Sequence, residues 1–142
     1  MKEKLKIYHN SNYVFHGSSE PNVELFTPQK SHDVGTDEWN KTKSVYATSN
    51  ICFAIIFSLT KSYSGRFQVG SNTRSTCTAT FDNSFKKTLF KNSGYLYVFN
   101  RDQFPFQKGN QVKINSEIKP IAMLQVNVHD YIDLGGKIEF VE

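Results

Sequence analysis

The longest uninterrupted apolar run in this chain is seven residues, Ile51-Cys52-Phe53-Ala54-Ile55-Ile56-Phe57. A helix needs about 20 such residues to cross a bilayer, so no membrane partner is expected. The run suits one buried segment of a water-soluble domain. Thr48, Ser49 and Asn50 stand before it, and each is a competent helix N-cap. Ser49 to Tyr63 runs without Gly or Pro, which predicts a helix there, although Ile51, Ile55 and Ile56 also suit a buried strand.

The remaining apolar residues come in short strips. Tyr13-Val14-Phe15-His16 reads as a strand ending at Gly17, and Ser44–Thr48 as a second. Thr76–Phe81, Tyr95–Phe99, Gln111–Ile114, Ile118–Val128 and Lys137–Val141 read the same way, the last opened by a Gly135-Gly136 turn. Many short strands with one or two helices predict an α+β fold. The 142 residues suit one domain, 1–142. With 14% aromatic residues the chain is too rich in core formers to be disordered. Between Ser18 and Lys43 the chain is polar and carries Pro21, Pro28 and Gly35, which predicts a long loop of the kind that often has a function.

Charge and motifs narrow the chemistry. Seventeen Lys and Arg against thirteen Asp and Glu give +4, compatible with a phosphate-bearing partner but without the dense basic clusters of a duplex binder. Cys52 and Cys77 have no CxxC context, and no apolar segment follows the charged Met1–Lys6. Two reduced core thiols in a cytoplasmic protein without a secretion signal are therefore expected. His9, His16, His32 and His129 lack HxxxH or HExxH spacing, so no metal site is expected. No GxGxxG or GxxxxGK[ST] is present, which argues against a Rossmann fold and a P-loop.

Three places can carry chemistry. At Phe15-His16-Gly17-Ser18-Ser19, a His at a strand end offers an imidazole, an approachable backbone and hydroxyls to one ligand; a surface His before a turn is the plainer account. At Val45-Tyr46-Ala47-Thr48, Tyr46 lies eight residues before Ala54 and eleven before Phe57. A helix doubling back after Thr48 can bring Phe57 opposite Tyr46, so that two rings hold a planar heterocycle with room left by Ala54; ordinary core residues would look alike. Third, the alternating aromatics of Tyr95-Leu96-Tyr97-Val98-Phe99 can stack bases, with Lys86, Lys87, Lys91 and Arg101 on phosphates, or can simply belong to a buried strand.

Taken in order, His16-Gly17-Ser18, Val45-Tyr46-Ala47-Thr48 with Ala54 and Phe57, Gly94-Tyr95-Leu96-Tyr97-Val98 and Ile118-Lys119-Pro120-Ile121 resemble the ADP-ribosyltransferase superfamily, in its diphtheria-toxin-like, poly(ADP-ribose)-polymerase-like branch. The resemblance spans about residues 13 to 128 and lies in the ordered set, since each motif is short. It implies two small antiparallel sheets forming a split β-sandwich around a cleft for NAD, which serves as substrate without a metal. His16 matches the family His that bonds the adenosine ribose, and Gly17 the Gly whose backbone holds the nicotinamide amide, with Ser18 beside them. Tyr46 matches the Tyr stacked on nicotinamide and Phe57 the second aromatic wall; Ala54 stands where many members carry a Ser that bonds the amide. His32 and Asp33 lie in the loop that in the family covers the adenine side.

The departure is at the family's Glu, which opens a strand and stabilises the oxocarbenium charge that develops as nicotinamide leaves. Here the matching strand opens with Gln111, and Glu117 is the alternative position. An amide can still bond ribose hydroxyls, but it opposes no positive charge. Family members lacking the Glu can transfer single ADP-ribose units with a carboxylate from the acceptor, so loss of transfer does not follow. The resemblance thus implies a domain that binds NAD or a related ADP-ribose nucleotide and passes ADP-ribose to a protein or nucleic-acid acceptor. The rivals are an inactive nucleotide- or partner-binding module of the same fold, and a single-stranded nucleic-acid binder using Tyr95–Phe99.

Overall fold

Residue alternation assigns the two faces of each strand. Along β1 (Tyr13–Ser18), Val14 and Phe15 are both buried but join opposite hydrophobic clusters. Along β5 (Ser93–Asn100), Leu96 and Val98 join one cluster while Tyr97 and Phe99 join the other. A strand buried on both faces is the centre of a layered structure. The structure, a computed structural model, describes residues 3–29, 39, 43–61, 63, 68–71 and 77–142. His32 and Asp33 lie outside the described residues.

The architecture is α+β with two sheets and few helices. The larger sheet has six antiparallel strands, adding β2 (Val45–Thr48), β6 (Phe106–Lys108), β7 (Gln111–Ile114) and β8 (Ala122–Asn127) in the order β6-β7-β2-β1-β5-β8. The smaller has β3 (Gln68–Ser71), β4 (Cys77–Asp82) and β9 (Lys137–Val141), in the order β3-β4-β9. Within it β4 and β9 run parallel, so one ladder departs from the expected antiparallel pairing.

The helix expected over Ser49–Tyr63 is α2, and it is confined to Ile51–Ser58. Asn50, fully buried, caps its start by accepting from the Phe53 N–H at 3.1 Å. At the other end the Thr60 hydroxyl donates to the Phe57 carbonyl at 3.0 Å, and the Asn92 amide to the Leu59 carbonyl at 2.8 Å. Side chains thereby take the carbonyls that another helical turn would use. α2 packs against β1 and β5 of the large sheet, β4 of the small one and α4 (Val128–Asp133), which is why it is apolar nearly all round.

Gly17 and Gly94 let the sheet approach this helix. A Cβ on Gly17 would stand 1.8 Å from the Ala54 carbonyl oxygen, and one on Gly94 would stand 2.2 Å from Ser58 Oγ. Leu96, the register partner of Gly17, packs in the same cluster as α2.

Two boundaries differ from the sequence expectation. The strip Ile118–Val128 divides into an isolated bridge, Ile118 with Phe26, and the strand β8. β8 stops at Asn127 because Asn127 and Asp130 form a reciprocal capping box that starts α4. Glu117 therefore does not open a strand; it is exposed beside the bridge. Among the described residues there are four α-helices rather than one or two. The additional ones, α1 (Glu3–Tyr8), α3 (Lys86–Lys91) and α4, have six residues each, too few to establish an apolar period. No helix among the described residues is long and apolar enough to cross a membrane.

Candidate functional site

The large sheet is weakest at its middle. β1 and β5 pair from Tyr13↔Asn100 to Ser18↔Tyr95, and β2 and β7 pair from Val45↔Ile114 to Thr48↔Gln111. β1 and β2 meet at the single register position Phe15↔Thr48. Beyond it His16-Gly17-Ser18 and Val45-Tyr46-Ala47 share no ladder, so one register pair joins β6-β7-β2 to β1-β5-β8, although Val14, Tyr97 and Phe99 of one half pack in one cluster with Val45, Ala47 and Val112 of the other.

One side chain spans this split. His16 Nδ1 lies 2.9 Å from the Tyr46 carbonyl oxygen. A carbonyl only accepts, so Nδ1 carries a proton here. The imidazole also packs edge-on to Phe26, centroid to centroid 5.2 Å. At the end of β1, Ser18 Oγ accepts from the Glu20 N–H at 3.1 Å and turns the chain back over the sheet. The Tyr97 hydroxyl holds that turn, donating to the Glu20 carbonyl and accepting from the Val23 N–H.

Tyr46 and Gln111 meet through Trp39. The Tyr46 hydroxyl donates to the Trp39 carbonyl at 3.0 Å, and the Trp39 indole N–H donates to Gln111 Oε1. Lys113, the register partner of Tyr46, donates to the same Trp39 carbonyl at 3.0 Å, and its ammonium lies 4.2 Å from the centroid of the indole. That cation is only 6% exposed, and the ring face and carbonyl are the kind of partners a buried ammonium needs.

The residues singled out in the sequence thus divide. His16 reaches the Tyr46 main chain from the face it shares with Val14 and Phe26, Gly17 lies against Ala54 of α2, and Gln111 joins the Tyr46 side chain by way of Trp39, on the face away from Val45 and Ala47. Ala54 is buried, with its carbonyl under Gly17. Phe57 is 42% exposed, and its ring lies 4.6 Å from that of Phe53. Glu117 stands outside β7, exposed to solvent. Trp39 and Lys113 were not singled out; the only hint was that Trp39 is the sole tryptophan and sits in a polar stretch.

Two other chemistries find less support. Burial pushes the Cys52 thiol up to about 12, with the neighbouring Cys77 adding to the shift. Burial likewise raises Cys77, so neither offers a thiolate at neutral pH. On β5, Tyr97 and Phe99 are fully buried, and the Phe26 ring lies on them at 4.9 and 5.3 Å. Bases have no access to those rings in this arrangement. A surface hollow lined by Lys86, Lys87, Phe90 and Lys91 lies on α3, a different element from the Tyr46 cluster.

No protein-family model matches the chain, and neither a curated protein nor a solved structure matches it.

Proposed function

We propose that the chain is an ADP-ribosyltransferase-like module that binds NAD, or a related ADP-ribose nucleotide, along the split between β1 and β2. The observation that carries this reading is the His16 hydrogen bond to the Tyr46 carbonyl across a sheet joined there by one register pair. It ties the imidazole to the Tyr46 main chain, and the ordered motifs imply that these two residues serve one ligand. His16 would hydrogen-bond a ribose hydroxyl, Tyr46 would stack on the nicotinamide ring, and Gln111 would bond the nicotinamide ribose. Gly17 and Ser18 would line the remainder, with Ala54 buried beneath Gly17 and Phe57 set against Phe53.

The electrostatics favour binding over cleavage. Release of nicotinamide leaves positive charge on the ribose, and a carboxylate is the group that stabilises it. Here the strand carries an amide at Gln111 and an ammonium at Lys113 on the same face. An acceptor that brings its own carboxylate, or a purely binding role, suits this arrangement better than autonomous hydrolysis.

The test is to incubate the purified chain with NAD and measure retained nucleotide, free nicotinamide and self-modification. Retained NAD that Tyr46→Ala abolishes, in a variant with an unchanged circular dichroism spectrum, is the expected result. Absence of retained nucleotide in the unsubstituted chain would reject the reading.

A further inference from the structure

Trp39 engages polar groups of Tyr46, Gln111 and Lys113. Its indole N–H goes to Gln111 Oε1, and its carbonyl takes both the Tyr46 hydroxyl and the Lys113 ammonium. Its ring also lies beneath that ammonium. Gln111 is the side chain assigned above to the nicotinamide ribose, and its Oε1 already accepts from the indole N–H.

We infer that Trp39 is a built-in competitor for the nicotinamide end of the ligand, displaced when that end binds. The inference rests on the nucleotide reading above and adds its regulation. A site held by its own chain binds ligand only in the fraction of molecules where the seat is vacant, so apparent affinity falls by that fraction. The adenosine end, near His16, is spared this competition, because Trp39 meets Tyr46, Gln111 and Lys113 instead.

Since Trp39 is the only tryptophan, emission excited selectively from tryptophan reports on this residue alone. The experiment adds NAD, then ADP-ribose, which lacks the nicotinamide, to the unsubstituted chain, and measures occupancy separately by equilibrium dialysis. NAD at saturation is expected to move the emission to longer wavelength, as the indole leaves its seat, while bound ADP-ribose leaves it in place. Trp39→Ala is expected to bind NAD about tenfold more tightly and ADP-ribose unchanged. NAD bound by dialysis with unmoved emission would overturn the inference and leave the nucleotide reading intact, and the emission arm needs no substitution to fold. Equal or weaker NAD binding by Trp39→Ala would do the same, weaker binding making Trp39 a wall of the site. If neither form retains NAD, both readings fall together.

Discussion

Charge is what separates Gln111 from a carboxylate of the same shape. Gln111→Glu keeps an oxygen that can accept from the Trp39 indole and supplies the negative charge that a departing nicotinamide calls for. The substitution is expected to raise nicotinamide release by about a hundredfold, measured as free nicotinamide over time. Glu117→Gln, at an exposed position outside β7, should leave it unchanged; the reverse ranking would move the reactive position to Glu117. Gly17 presents a steric question instead. Gly17→Ala puts a methyl into the Ala54 carbonyl and should cost about 3 kcal/mol in urea unfolding, because strand and helix must separate to admit it. At this scale the sequence was uneven. His16, Tyr46 and Gln111 were legible because their local patterns mark them. Lys113 was not, since alternation with Val112 and Ile114 makes it look solvated, and its burial depends on Trp39, far away in the chain.

Among the elements, α2 depends most on a single side chain. Asn50 is buried and caps it, so Asn50→Ala leaves the Phe53 N–H without that acceptor inside the core. The expected loss is about 1–2 kcal/mol in chemical denaturation, while Asn50→Asp, which keeps the accepting oxygen, should recover part of it. The elements were also the most legible level. β2, β7 and β9 were read to within a residue because strand composition and flanking turns agree there. The errors came where a side chain overrides composition. Asn127 and Asp130 end β8 through a capping box, although Val126 and Val128 continue the strand composition. Thr60 and Asn92 end α2, although no Gly or Pro marks the place. Both are hydrogen bonds whose partners a one-dimensional pattern does not reveal.

Across the whole molecule, the interior around α2 responds to alkali. Cys52 is raised from its ordinary value of 9.0 to about 12, and burial is the main cause. The folded state favours the neutral thiol, so this contribution to stability is complete below pH 9 and is lost as pH rises toward 12. Unfolding midpoints in denaturant should fall over that interval, and Cys52→Ala should flatten the fall relative to its own value at neutral pH. At neutral pH, thiol alkylation should proceed only as fast as the protein opens.

The split in the large sheet has a mechanical side. Three strands on either hand share one register pair, Phe15 with Thr48, the His16 imidazole as a lateral tie, and an apolar interior common to Val14, Val45, Ala47 and Val112. A molecule bound across that seam would load both halves through the interior they share, so its grip would register as far away as the helix beneath.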